Sequence, residues 1–330
     1  MNASLRQAVP LLPGAEQWLA GARLPETVAV GWSGGIDSTA LLLALQASGH
    51  RVRAWHVDHG WHEDSAHHAA VLRQKAEEWG IPFYSARVRT PPIVNREATS
   101  RQSRYRQFSE WRLEQGVDAL CLAHHLDDQA ETVCMRMLQG GGVLGCRGMR
   151  DARRMDSGLQ VFRPLLHTSK SMLMAALQQA GVEWLEDDSN RDTSLLRNHI
   201  RHRFFPAVRQ AGVDPVELWS RWQRQAERIT GLLERGAAGL PIENRFGSVT
   251  VAWERWVDQP AAIRAYVLQR MTKVLFGSGA SLGRRHIMLV ERWREEGGHG
   301  GIDLSRSRLS HRDGHLRLDA TKANLDRLRT

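Results

Sequence analysis

The chain has 330 residues, room for two domains at roughly 150 residues each, with 42% apolar and 25% charged side chains. No uninterrupted apolar run approaches the roughly 18 residues of a membrane span, and the first 26 residues lack a cationic segment followed by a long apolar stretch, so a cytoplasmic protein without membrane attachment is expected. The formal charge of +9 is uneven: residues 1–200 carry 22 cations and 22 acids, residues 201–330 carry 23 and 14. A basic back half suits a polyanion partner, although only four of the 45 cations are lysines, which a GC-rich genome would also produce. Cys121, Cys134 and Cys146 are an odd set with no C-x-x-C pair, against a disulfide framework or a zinc site.

In chain order, ETVAVGW reads as a strand ending at the Gly-rich SGGIDS, and TALLLALQASGH as a helix closed by Gly49. RVRAWHVDHG is a second strand, EDSAHHAAVLRQKAEEWG a helix stopped at Gly80, and IPFYSARV a third strand. REATSRQSRYRQFSEWRLEQG is helical, DALCLAH a strand, and a helix runs from about Asp127 to Gln139. This alternation predicts an α/β fold, a parallel sheet with helices on both faces. MLMAALQQAGVEWLEDDSN follows as a helix, a Gly stop and an acidic turn. The character changes near Pro206, giving expected domains at 1–210 and 211–330, the second a linker helix and a smaller, mostly helical basic region. On the linker helix Leu218, Trp222, Gln225, Ile229, Leu232 and Leu233 share the side expected to pack, with Arg221, Arg224 and Arg228 on another. The tail alternates around Arg-Asp-Gly and reads as a hairpin.

The chemistry concentrates in Ser33, Gly34, Gly35, Ile36, Asp37 and Ser38, between a strand and a helix. Two glycines allow close backbone approach, two serines offer hydroxyls, and the helix start offers free N–H groups, together a phosphate cradle. It lacks the lysine and spacing of a Walker loop. An acid inside an anion site repels the ligand unless a cation intervenes, so Asp37 is expected to hold Mg²⁺ bridging to phosphate oxygens. Asp128 and Glu131 are three apart at a helix start, so both carboxylates project from one face, where they could grip an ammonium or simply complement the helix dipole. His56, Asp58, His59, His124, His125, Asp127 and Asp128 also resemble the ligands of a two-metal hydrolase, a competing reading that leaves the Gly-rich loop without a task. His62, His67 and His68 are expected to face solvent.

SGGIDS resembles the pyrophosphate loop of the N-type ATP pyrophosphatases, the PP-loop superfamily. HVDHG, RQSRY, AHHLDDQAET, RPLL and WLEDDSN followed by RNHIR occur in the order and spacing of the bacterial tRNA(Ile)-lysidine synthetases, over about Val28 to Pro206. The resemblance implies an adenine nucleotide alpha hydrolase-like fold and a ligase. Such a ligase uses ATP and Mg²⁺ to join free lysine to C2 of the wobble cytidine of the isoleucine tRNA with a CAU anticodon. It implies that Asp128 and Glu131 contact lysine, that His124 and Arg104 lie near the reacting base and phosphates, that His56 lies near ribose or pyrophosphate, and that Arg197, Asn198 and Arg201 bind tRNA or organise the site. Arg201 could equally pair with Glu186, Asp187 or Asp188. Trp32 and Gly31 depart from the family's usual residues beside the loop and could alter adenine packing; Asp58 and Trp61 are also unusual, and Arg163 and Pro164 read as structural. The chain is shorter than the family's long members, so tRNA selection would rest on its first C-terminal domain. A tRNA thiolase with the same loop is the nearest enzyme alternative, disfavoured by the cysteine spacing. Oligomeric state stays open, a homodimer included.

Overall fold

The computed structural model describes residues 24–60, 65–87, 96–185, 196–277 and 280–328. The chain divides into two compact units, Met1–Ala226 and Glu227–Thr330. The first is built on a six-stranded sheet in the order β3-β2-β1-β4-β6-β5. Its strands are β1 (Thr27–Gly31), β2 (Arg51–Asp58), β3 (Phe83–Arg87), β4 (Ala119–Cys121), β5 (Ala152–Arg154) and β6 (Gln160–Phe162). All pairings are parallel except that of edge strand β5 with β6. The expected parallel α/β fold is therefore present, with one antiparallel edge.

Alternation along β1 divides the core. Val28 and Val30 face one layer with Trp32, Leu41, Leu45, Leu72 and Leu177, while Ala29 faces the other with Trp55, Tyr105, Phe108, Trp111 and Val161. Helix α1 (Ile36–Ala47) follows β1, α2 (Ser65–Trp79) follows β2, α3 (Arg96–Gln115) follows β3, α4 (Leu126–Leu138) follows β4, and α5 (Lys170–Gln179) follows β6. Chain order reverses at β1: β2 lies on one side and β4 on the other. Such a switch point opens a crevice at the carboxyl ends of the two strands, and the segments entering it are SGGIDS after β1 and AHHLDD after β4.

Gly49 and Gly80 end their helices with φ of +89° and +67°, as expected. Trp32 is a core residue, tilted against Trp79 and edge-on to Phe83, with its indole N–H on Thr39 Oγ1 at 3.1 Å. A Cβ at Gly31 would lie 2.7 Å from Leu122 Cδ2, so a larger residue there would require that side chain to shift. The acidic turn 186–190 and His62 lie outside the described residues; His67 is exposed and His68 half-buried on α2.

Past the site, α6 (Leu196–His199) passes through a π-helical turn (Ile200–Phe204) into α7 (Phe205–Gln210), and α8 runs Pro215–Gly236. The buried side of α8 is Ser220, Gln223, Ala226 and Thr230, whereas Trp222, Ile229 and Leu232 are exposed. The expected packing stripe is thus corrected: small and polar side chains seat this helix, and Val216, Trp219 and Ala226 pack on Ala130, Val133, Cys134 and Cys146.

The second unit holds a five-stranded antiparallel sheet, β7-β8-β11-β10-β9, and four further helices, α9 (Trp253–Val257), α10 (Ala261–Phe276), α11 (Arg284–Glu295) and α12 (Lys322–Leu328). The expected hairpin is β10 (Ser307–Arg312) and β11 (His315–Ala320), joined by Asp313 and Gly314, with φ of +51° and +71°. Both values are those of the tight hairpin turn whose twist matches the strands. Helices supply more residues than strands, as expected, while β7 (Glu243–Arg245), β8 (Ser248–Ala252) and β9 (Gly301–Leu304) escaped the sequence reading.

Candidate active site

The loop after β1 is rigid before any ligand arrives. Gly34 has φ +86°, and a Cβ there would meet Leu72 Cδ2 at 2.7 Å and Leu185 Cδ1 at 2.9 Å, so only glycine fits. Its carbonyl accepts Leu185 N–H at 2.9 Å and the Thr39 hydroxyl at 3.2 Å. The Ser33 and Ser38 hydroxyls bond to each other at 3.1 Å, and Ser38 Oγ accepts Ser33 N–H at 3.2 Å and donates to the Gly35 carbonyl at 3.1 Å, fixing both hydroxyls in the loop. Gly35 is the cap of α1 and has no side chain to occupy the first-turn N–H groups of Ile36, Asp37 and Ser38. Those groups remain for an anion.

Asp37 stands one residue into α1. Its Oδ1 is buried without a hydrogen-bond partner, while Oδ2 lies 3.6 Å from His125 Nε2 and 4.0 Å from Lys170 Nζ. An orphaned carboxylate oxygen beside a phosphate cradle fits a divalent cation whose remaining ligands are phosphate and water oxygens. Among the described residues no group of three or more His, Cys, Asp or Glu side chains is arranged to hold a metal ion by itself.

After β4, His125 caps α4, and its backbone N–H donates to Asp128 Oδ2 at 3.2 Å. Its ring is buried between three carboxylates: Nε2 is 3.6 Å from Asp37 and 3.5 Å from Asp128, and Nδ1 is 3.5 Å from Asp127. Burial by itself would depress its pKa, but Asp128, Asp127 and Asp37 override this and raise it to about 10. His125 is therefore an imidazolium at neutral pH, joining the phosphate loop to α4. Asp127 also accepts the Lys170 backbone N–H at 2.9 Å.

Asp128 and Glu131 do share one face of α4, as the spacing predicted, and two arginines from the far end of the unit meet them. Arg197 Nη2 and Nε reach Asp128 Oδ1 and Glu131 Oε2, both at 3.0 Å. Arg201 Nη2 reaches Asp128 Oδ1 at 3.0 Å, and its Nε reaches Glu131 Oε1 at 2.6 Å. Burial would raise the Asp128 pKa, yet His125, Arg197, His124 and Arg201 bring it down to about 2. Burial would likewise lower both guanidinium pKa values; Glu131 and Asp128 raise them instead. Arg201 thus pairs with α4; its other suggested partners, Glu186 to Asp188, lie outside the described residues. Asn198 is buried on the same helical turn.

The remaining expected residues surround this centre. His56 Nδ1 is 3.0 Å from the Trp32 carbonyl, and burial lowers its pKa despite that bond, so it is neutral and donates through Nδ1, leaving Nε2 an acceptor. Burial brings His124 to about pKa 3 and His59 to about 4; Arg104, which faces His59, adds to the latter. His125 and Asp127, which the sequence offered only as ligands of a metal hydrolase, instead join Asp37 to Asp128, and Lys170 beside Asp37 had no role in the sequence reading. The only hint in the sequence was the doubled histidine before the two aspartates; nothing marked Lys170. Cys121, Cys134 and Cys146 are buried free thiols whose pKa values burial raises, Cys134 to about 11, so they are neutral thiols rather than reactive thiolates.

Residues 15–208 match the family model described as a PP-loop domain. Over 197 residues, 58% of this chain, the sequence is 40% identical to the tRNA(Ile)-lysidine synthase of Pseudomonas syringae pv. tomato, covering 44% of that relative. Over 265 residues, 78% of this chain, it is 33% identical to the tRNA(Ile)-lysidine synthase of Thermus thermophilus, covering 50% of that relative. The chain thus spans about half the length of these curated relatives. Among solved structures, the U34-tRNA thiolase NcsA from Methanococcus maripaludis with its [4Fe-4S] cluster superposes with a TM-score of 0.50 at 16% identity, covering 68% of this chain and 77% of that one, a likeness of fold.

Proposed function

The chain belongs to the PP-loop domain family, and from that premise we propose that it is an ATP-dependent ligase. It would join free lysine to C2 of the wobble cytidine in the isoleucine tRNA with a CAU anticodon, in the cytoplasm. The observation that carries the proposal is the junction at His125. One imidazolium links Asp37 of the phosphate loop to Asp128, whose side chain shares two arginines with Glu131. Nucleotide activation and nucleophile capture then occupy one continuous polar network.

In this reading the free N–H groups of α1 and the Ser33 and Ser38 hydroxyls hold the pyrophosphate portion of ATP, with the neutral Nε2 of His56 open to the ribose. Mg²⁺, bound through Asp37 Oδ1, would neutralise phosphate charge. The C2 carbonyl oxygen of cytidine attacks the α-phosphorus, the bond to pyrophosphate breaks, and an adenylated cytidine results. The lysine ε-amine then attacks C2, the C2–O bond breaks, AMP leaves, and the amine gives up a proton. Only the neutral amine is nucleophilic. Two bare carboxylates would hold it as ammonium, whereas Asp128 and Glu131 arrive neutralised by Arg197 and Arg201, so they can orient the amine without trapping its proton. The basic second unit is assigned to tRNA recognition. Incubation with ATP, Mg²⁺, labelled lysine and individual tRNA transcripts tests the proposal. Incorporation that requires the CAU anticodon supports it; AMP release without lysine transfer, or transfer indifferent to the anticodon, refutes it.

A further inference from the structure

Residues 1–200, neutral in sum, carry a concentrated positive surface outside the site just described. Tyr105 on α3 is covered by two guanidiniums: Arg101 Cζ is 5.4 Å and Arg153 Cζ 5.8 Å from its ring centroid. Both distances are in the cation–π range. Beneath them Arg163, buried at 3% exposure, donates through Nη1 to the Arg150 carbonyl at 2.8 Å and keeps its buried Nε without a partner. Arg101 and Arg153 are exposed, and among the described residues neither has a carboxylate partner. Further along α3, Arg106 pairs with Glu110 at 3.3 Å and Arg112 with Asp118 at 2.6 Å. Three like charges around one aromatic ring oppose one another, and burial together with Arg101 and Arg153 lowers the Arg163 pKa against the pull of Tyr105.

The register of β5 explains the aim of this surface. Arg153 stands opposite Val161, a member of the Tyr105 core layer, so its side chain lies on the Tyr105 face, and Arg154 next to it takes the other face. Arg101 and Arg163 both lie close enough to His124 to act on it, which sets the surface at the carboxyl edge of the sheet beside the site. A guanidinium stacked on a ring keeps its N–H edge pointing outward, suited to bidentate contact with a phosphate.

We infer that Arg101 and Arg153, held on Tyr105, dock backbone phosphates of the single-stranded RNA loop that carries the reacting nucleotide. This rests on the tRNA ligase reading and places loop docking on the first unit, independently of the basic second unit. The test compares the full chain with the double variant R101Q/R153Q and with R154Q, whose site lies on the opposite face of the same strand. Filter binding of the tRNA transcript at several salt concentrations gives affinity and slope, and binding of an ATP analogue reports the integrity of the nucleotide site. The double variant should flatten the slope of log K against log salt by about 1.4, from ~0.7 for each of two single-strand phosphate contacts. It should raise the tRNA Kd by about tenfold or more, with analogue affinity unchanged and R154Q close to wild type. An unchanged Kd and slope in the double variant, or an equal effect of R154Q, overturns the inference. A wild-type chain that binds tRNA through this surface but transfers no lysine refutes the ligase reading and leaves the docking surface standing.

Discussion

Replacing Glu131 by glutamine separates an acid that stabilises the unit from one that merely sits near a ligand. The side chain is 3% exposed and meets Arg197 Nε at 3.0 Å, Arg201 Nε at 2.6 Å and Arg201 Nη2 at 2.9 Å. Glutamine keeps one acceptor oxygen, turns an NH₂ group toward a guanidinium, and leaves Asp128 alone to neutralise two arginines. Removing one partner of a fully buried pair costs about 3–5 kcal/mol. Here the guanidiniums are 23% and 26% exposed, so water recovers part of this and ~2–3 kcal/mol is expected. For a unit of this size that is a fall in Tm of about 5–10 °C, read from urea and thermal unfolding of the first transition because two units need not unfold together. Adding Arg201→Gln to Glu131→Gln removes an orphaned cation, so the double variant should be more stable than the sum of the single losses predicts by about 1 kcal/mol or more. In turnover, Glu131→Gln should raise the KM for lysine more than that for ATP. A melt within a degree of wild type together with additive single effects would refute the claim that the four-residue cluster acts as a unit.

Asp37→Asn should lower tRNA-dependent AMP formation by about 100-fold or more in a chain that still folds, with a lower Tm because the charge facing His125 and Lys170 is lost; near-normal turnover in the folded variant would remove the metal role. His125 has a folded pKa of about 10 against an unfolded value of 6.5, so its contribution to stability is complete below pH 6.5 and is lost as pH rises toward 10. Wild type minus His125→Asn, followed by urea unfolding from pH 6 to 10.5, should decline across that window, and a flat difference would show that the ring is neutral in the folded protein. Cutting after residue 210 should destabilise the first unit, because Val216, Trp219 and Ala226 pack on Ala130, Val133, Cys134 and Cys146, whereas a cut after Ala226 should leave a folded unit that binds an ATP analogue. Equal stability of the two truncations in urea would refute this.

Elements that depend on neighbouring residues were legible in the sequence. SGGIDS had to be a strand-to-helix turn because Gly34 takes φ +86° where any side chain would strike Leu72, and Asp313-Gly314 had to be a hairpin turn for the same backbone reason. The face of a helix was less legible when small side chains seat it. On α8 the bulky residues Trp222, Ile229 and Leu232 dominate a hydrophobic reading, but Ser220, Gln223, Ala226 and Thr230 are the buried ones, since they let the helix approach closely. Short strands such as Glu243–Arg245 and Gly301–Leu304 hold too few alternating positions to announce themselves and form because β8 and β10 template them. Least legible were the partners of Asp128 and Glu131. Each carboxylate lies about seventy positions from Arg197 and Arg201, and no local rule connects them.

Charge shows why a total misleads where a placement informs. Residues 1–200 balance 22 cations against 22 acids. In space the balance is uneven. Asp37, Asp127, Asp128 and Glu131 meet His125, Lys170, Arg197 and Arg201 in one compensated network at the switch point of the sheet. Acids spent there cannot neutralise the edge nearby, and among the described residues no carboxylate pairs with Arg101, Arg153 or Arg163 around Tyr105. In the proposed ligase, a compensated site beside an uncompensated rim would serve transfer to a polyanion: the rim would draw phosphate in, while the neutral network would neither repel the triphosphate of ATP nor trap a cationic amine. Net charge summed along the chain cannot express that division, because it depends on which carboxylates the fold buries.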